Sequence, residues 1–136
     1  MTPKIEGFEE VLNSNSLNQL VAEIGLRTVK IVIVKSIADL KRLFGEMVSA
    51  NQVADWNGLR VAVHSISGVA AVIGGEKLRQ ISLQAEQNCV DDDFALASVS
   101  IVNVMLATIL LIEKLESFHL NEANANEQNA DSRISI

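Results

Sequence analysis

The imidazole of His64 is the side chain of this sequence best suited to group-transfer chemistry. At about 100° per residue along a helix, it falls opposite an apolar stripe made of Leu59, Val63, Ile66, Ala70 and Ile73. Its neighbours on the opposite side are Arg60, Ser67, Gly68 and Ala71. Small side chains beside the ring let another protein approach closely, and one ring nitrogen with a free lone pair is a nucleophile. The pattern alone fits an ordinary exposed histidine equally well.

Other reactive side chains are isolated. Cys89 is the single cysteine, which excludes an internal disulfide, and it is expected to be a small core residue in a reducing compartment. His119 is interpreted as structural or solvated near a helix C-terminus. The sequence has no cluster with metal-ligand spacing, no phosphate-binding glycine loop and no nucleophile elbow. It therefore predicts no metal, no cofactor, no nucleotide-binding or autokinase motif, and no enzyme.

The elements that would position His64 are helices, because 136 residues contain one proline and seven glycines. A short helix is predicted over residues 17–24, with Ser16 as its N-cap and Gly25 as its end. Four longer helices follow, over residues 26 to about 50, 56 to about 73, 76 to about 88, and 94 to about 118. Asp55 is expected to cap the third helix, Gly74 and Gly75 to end it, and residues 91–93 to cap the last.

The short connections predict an all-α fold, an antiparallel up-down-up-down four-helix bundle with a short extra N-terminal helix. Residues 1–15 are expected to be an N-terminal segment, residues 16–120 the bundle, and residues 121–136 a disordered or frayed tail. The length suits one domain with an aliphatic core.

Charge restricts the partners. The net charge of −6 and the lack of a basic stripe argue against nucleic acid and against an anionic membrane surface. Residues 94–112 carry no charge and approach the length of a spanning helix. Polar residues within that run, and acidic flanks with no cluster of Lys or Arg to anchor either end, argue against a span. We expect a cytoplasmic protein whose last helix is buried in the bundle and could also form a homodimer.

The stretch DWNGLRVAVHSISGVAAVIGGEKLRQISLQAEQ, residues 55–87, resembles the histidine-containing phosphotransfer domains of two-component phosphorelays. That family has a histidine, a hydrophobic residue two positions later, a glycine, a run of small residues, a second glycine and leucines on the next helix before Glu or Gln. The positions that match are Asp55, Trp56, Leu59, Arg60, His64, Ile66, Gly68, 69–71, Gly74, Leu78, Ile81 and Glu86.

The resemblance implies a role for each matching site residue. His64 would be the phospho-accepting residue. Ser67 and Gly68 would belong to the docking face, where Gly68 would leave room for the close approach of a partner. Glu86, on the following helix, would accept a hydrogen bond from the His64 Nδ1–H and leave Nε2 as the nucleophile. Without the resemblance, Glu86 would be taken for a solvated helix charge.

One position departs from the family pattern. The family usually has a lysine three residues after the histidine, where this sequence has Ser67. Arg60, four residues before His64, is the preferred substitute for that charge, with Lys77 and Arg79 as alternatives. The Ser67 hydroxyl could still donate one hydrogen bond, and slow transfer is also compatible with the change.

The resemblance implies a phosphorelay intermediate that carries a phosphoryl group between aspartates of response-regulator receiver domains. Its partners would be those domains and an upstream hybrid histidine kinase. The alternative is a helical-bundle adaptor or dimerisation module that binds a signalling partner without phosphotransfer. The density of apolar residues in the last helix motivates that alternative.

Overall fold

The computed structural model describes residue 12 and residues 14–134, with side chains for residues 12 and 15–121. Within that part the chain forms five helices and no strand: α1 (Ser14–Ile24), α2 (Leu26–Gln52), α3 (Trp56–Ile73), α4 (Glu76–Val90) and α5 (Phe94–Ile134). The last four pack as a bundle in which α3 lies between α2 and α4, and α5 closes the ring against α4 and α2. The all-α bundle with an extra N-terminal helix is therefore confirmed.

The helix ends that flank the His64 helix follow from local chemistry. The Asp55 carboxylate Oδ1 accepts a hydrogen bond from the Gly58 N–H at 2.9 Å, which caps the first turn of α3. Gly74 ends the helix with a φ of 76°, a left-handed conformation that favours glycine. At the start of α5, the Asp93 Oδ1 accepts from the Leu96 N–H at 3.2 Å. These predicted ends are confirmed.

The predicted start of α1 is wrong, because that helix begins at Ser14 and Ser16 lies inside it. Ser14, Asn15 and Ser16 are all of types that cap helices, so residue preference alone could not select the first turn.

The core is aliphatic, as the composition required. The predicted stripe of α3 is buried in full, and Ala62 and Ser67 join it. Its largest fully buried partners on the other helices are Ile33, Leu40 and Met47 of α2, Leu78 of α4, and Ile101, Leu111 and Leu115 of α5. Because α3 is held on two sides, its orientation about its own axis is determined, and so is the direction in which His64 points.

The last helix is longer than predicted. Its backbone continues as helix to Ile134, beyond the predicted end near residue 118. The division of the chain into segment, bundle and tail stays a prediction.

Part of α5, Phe94–Asn121, is long and apolar enough to cross a membrane by length and composition alone, and 33% of its most apolar stretch is buried. A core helix of a soluble bundle has the same composition. The same helix contributes Ile101, Leu111 and Leu115 to the core, so this stretch is weak evidence for a span.

Candidate functional site

His64 and Glu86 form a pair that joins α3 to α4. The His64 Nδ1 lies 2.9 Å from Glu86 Oε2 and 3.0 Å from Oε1. The His64 side chain is 67% exposed and the Glu86 side chain 21%. A carboxylate only accepts hydrogen bonds, so the proton of this bond belongs on Nδ1. That assignment leaves the lone pair of the imidazole on Nε2, the nitrogen available to another molecule.

The tight turn between α3 and α4 brings these two side chains to the same level. His64 lies ten residues before Gly74, and Glu86 lies eleven residues after Gly75. Nearly equal lengths of antiparallel helix, at about 1.5 Å per residue, place both at a similar height above the turn. The structure therefore makes the contact that the family resemblance implied.

Gly68 leaves the surface open one turn beyond His64. A Cβ built on it would meet nothing within 4 Å, so the packing of this chain does not require a glycine there. A glycine at a mid-helix position usually costs about 1 kcal/mol relative to alanine. The open space beside the imidazole is therefore available to a partner.

Exposed apolar side chains surround the pair, and the sequence interpretation missed them. Val61 and Val72 lie on the His64 side of α3, and Leu83 and Val90 lie one turn before and one turn after Glu86 on α4. We call these four residues, with His64, Gly68 and Glu86, the His64 face. The signal was present in the sequence, since each of the four lies three, four or eight residues from His64 or Glu86. Exposed apolar side chains grouped on one surface often mark a site of protein interaction.

Ser67 does not lie on the His64 face. It is 6% exposed, and its Oγ donates a hydrogen bond to the His64 carbonyl oxygen at 2.6 Å. The prediction of an exposed Ser67 beside His64 is wrong. Three residues turn a helix by about 300°, which brings Ser67 to the edge of the buried stripe. Its hydroxyl is also occupied with the backbone of its own helix.

The three cations considered as substitutes for a lysine differ in their contacts. The Arg60 Nη2 donates to Asn57 Oδ1 at 3.0 Å, and Arg60 is half-buried one turn before His64. The Arg79 Nε donates to Glu76 Oε2 at 2.8 Å. That bond lowers the pKa of Glu76 and raises the pKa of Arg79. Lys77 lines a cleft between α4 and α5, away from α3.

Cys89 is a buried residue of α4. Burial raises the pKa of its thiol; the positive charge of Arg60 opposes that shift and the negative charge of Glu86 adds to it. A buried thiol with a raised pKa is poorly reactive. Among the residues with described side chains, no group of three or more His, Cys, Asp and Glu could hold a metal ion.

A four-helix bundle that presents one histidine in mid-helix, oriented by a carboxylate from the next helix, is the architecture of a phosphotransfer module. The family model of the Hpt domain matches residues 32–126, and the chain belongs to that family. Members act in two-component phosphorelays as phosphocarriers rather than kinases, and they interact with histidine kinases and response regulators.

The fold also matches a solved structure. Histidine-containing phosphotransfer protein B of Pseudomonas aeruginosa superposes with a TM-score of 0.72, over 83% of this chain and 97% of that one, at 15% sequence identity. A search of curated proteins gave no significant match. The structural similarity supports the fold, and the family match confirms the resemblance seen in residues 55–87.

Proposed function

We propose that His64 is the phospho-accepting residue and that the protein carries a phosphoryl group between aspartates of receiver domains. The group would come from an upstream hybrid histidine kinase through its receiver domain, in the cytoplasm. The observation that carries this proposal is the His64 imidazole, exposed in mid-helix with its Nδ1 2.9 Å from the Glu86 carboxylate.

The proposed transfer moves one phosphoryl group from a carboxylate oxygen to a ring nitrogen and requires no cofactor. The lone pair of His64 Nε2 attacks the phosphorus of an aspartyl phosphate, an N–P bond forms, and the bond from phosphorus to the carboxylate oxygen breaks. The aspartate leaves as a carboxylate with the electron pair of that bond. The ring gains positive charge, which the Glu86 carboxylate stabilises through the Nδ1–H. The reverse step, with a different receiver aspartate, releases the phosphoryl group.

The His64 face supports a close approach of the receiver domain. In-line transfer requires the aspartyl phosphate to reach Nε2, and Gly68 leaves space for the partner's surface at that point. The valine and leucine side chains of the face would be buried against the partner. Charge compensation for the phosphoryl oxygens is assigned to Arg60, since Ser67 is buried and Arg79 is paired with Glu76.

The test is phosphorylation by a purified receiver domain that carries aspartyl phosphate. Acid-labile, base-stable phosphate is expected on the wild type and on His119→Gln, which removes the other histidine of the chain. No such phosphate is expected on His64→Gln. Equal labelling of His64→Gln and wild type would show that another residue accepts the group.

A second candidate is an adaptor that binds a receiver domain without transfer. The observation in its favour is Ser67, buried at the position where the family usually has lysine. Receiver binding by calorimetry, combined with the absence of phosphate on the wild type, would support this candidate against the first.

A further inference from the structure

One side of α5 is apolar and largely exposed, and its side chains lie outside the hydrophobic core formed by the described residues. Its residues follow one another in steps of four, three, four and three; they are Ala95, Val99, Val102, Leu106 and Ile109, which we call the α5 outer face. Val99 is 59% exposed, Val102 49% and Ile109 40%. The 4-3 spacing is that of a seam between two helices. On α5 it repeats on the side turned away from the core residues Ile101, Leu111 and Leu115.

The exposed area suits a weak but specific interface. The face and its neighbours Leu96 and Leu110 offer on the order of 400–500 Å² per copy, so that two copies would bury roughly 800–1,000 Å², the size of a weak or transient interface. A patch of this size is comparable to the largest apolar patch on a typical monomer, and such patches are often functional.

We propose that the α5 outer face binds the same face of a second copy, in a two-fold symmetric antiparallel dimer. The pairing follows from the spacing: Val99 would oppose the Ile109 position of the other copy, and Val102 would oppose Leu106. Ala95 would oppose Glu113, which continues the seam by one turn and is exposed. A parallel dimer would instead bring the two Glu113 carboxylates together inside the seam, whereas the antiparallel register places the acidic residues 91–93 beyond the seam, opposite residues 115–117 of the other copy.

The dimer would leave both His64 faces free. In the bundle α5 packs mainly against α4 and α2, and α3 lies diagonally across from it. The exposed sides of α3 and α5 therefore point in different directions. This inference goes beyond the phosphotransfer proposal, and neither depends on the other.

Charge favours a second copy over a lipid surface and gives the dimer a salt dependence. Acidic residues 91–93 precede the α5 outer face, and Glu113 ends it. No Lys or Arg lies within residues 94–112 to contact anionic lipid. Each copy carries a net charge of −6, so added salt should screen the repulsion between copies and tighten the dimer.

The experiment is sedimentation of the full chain from micromolar to several hundred micromolar. The wild type is expected to dimerise, more tightly at higher salt, and Val102→Glu to weaken the dimer at least tenfold. Val34→Glu is the matched control, because Val34 is 51% exposed in the middle of α2; that variant and His64→Gln should dimerise like the wild type. If Val102→Glu loses helicity by circular dichroism, the isosteric Val102→Thr replaces it.

Orientation is tested by disulfide formation in an equal mixture of Val99→Cys and Ile109→Cys proteins. An antiparallel seam gives the mixed dimer, because identical positions would then lie about 15 Å apart along the axis. A wild type that is monomeric at every concentration would overturn the proposal. So would equal weakening by Val34→Glu, or a monomer that co-sediments with vesicles of phosphatidylcholine and phosphatidylglycerol.

Discussion

At the scale of single residues, the two nitrogens of His64 have different surroundings. Nδ1 is held by Glu86 at 2.9 Å, while the ring as a whole is largely exposed. The hydrogen bond fixes both the tautomer and the plane of the imidazole, and these determine where the Nε2 lone pair points. The reactivity proposed for Nε2 therefore depends on a side chain that lies in the other helix.

Removal of the Glu86 carboxylate should slow phosphorylation without unfolding the protein. We expect Glu86→Ala to react roughly tenfold more slowly, near the lower end of what a hydrogen bond to a charged group contributes, because Glu86 is partly exposed. The amide oxygen of Glu86→Gln can still accept a hydrogen bond from Nδ1–H, so the transfer rate of this variant should fall between those of the wild type and Glu86→Ala. Rates of transfer from a phosphorylated receiver, with circular dichroism for helicity, measure this. Unaltered rates in both variants would mean that the bond has no role.

A bulky side chain at Gly68 should block transfer by obstructing the partner. Gly68→Ala should leave the fold intact or stabilise it by up to about 1 kcal/mol, since the new Cβ meets open space within a helix. Gly68→Arg should retain the helix content and lose transfer. The matched control is Ala38→Arg, at an exposed position of α2. Normal transfer by Gly68→Arg would contradict the assignment of the docking face.

The charge at Arg60 should matter if it replaces the missing lysine. Arg60→Ala should slow transfer, and Ser67→Lys in that background should restore it. Ser67 lies at the edge of the buried stripe, so the aliphatic part of a lysine could pack there while its ammonium reaches water. Thermal unfolding serves as the control, because the substitution changes a residue that is 6% exposed. If Arg60→Ala transfers slowly and the double variant is equally slow, the lysine at position 67 does not replace the lost charge. If Arg60→Ala transfers as fast as the wild type, Arg60 has no role in charge compensation.

At the scale of elements, the N-terminal cap of α3 stabilises the helix that carries His64. Asp55→Ala should lower the free energy of unfolding by about 1 kcal/mol, because it removes the acceptor of the Gly58 N–H. Urea unfolding measures the loss, with Glu23→Ala, at an exposed position of α1, as the control. Equal losses in the two variants would mean that the cap contributes no more than a surface carboxylate. The same cap explains Gly58, where a Cβ would lie 2.5 Å from Asp55 Oδ2.

The ends of a helix could be predicted from the sequence where only one nearby residue was suited to begin or end it. Asp55 and the Gly74–Gly75 pair marked the two ends of α3, and the core stripe of α3 repeats without interruption. Residues 91–93 marked the start of α5 without selecting Asp93. The start of α1 could not be predicted, because several residues suited to cap a helix are adjacent there. Nor could the burial of Ser67, because a position at the edge of a stripe is decided by the neighbouring helix rather than by the periodicity of its own.

At the scale of the whole molecule, polar contacts join neighbouring helices of the bundle in series. Lys41 Nζ lies 2.8 Å from Glu116 Oε1 between α2 and α5, and Asn88 Nδ2 donates to Ser100 Oγ at 2.6 Å between α4 and α5. The His64–Glu86 bond is the corresponding contact between α3 and α4. The assembly of helices could be predicted from the sequence, but these particular pairs could not, since each joins positions whose relative height depends on three-dimensional packing.

The contact between Nδ1 and Glu86 has a consequence for signalling. A phosphoryl group on Nε2 would leave the Nδ1–H and its bond to Glu86 in place, so the link between α3 and α4 would be the same before and after modification. The loaded and unloaded states would then differ in the phosphoryl group on Nε2 and in the charge of the ring, while the contact between α3 and α4 stays in place. Phosphorylation of such a protein would not change its fold, so only a partner that contacts the imidazole itself could distinguish the two states.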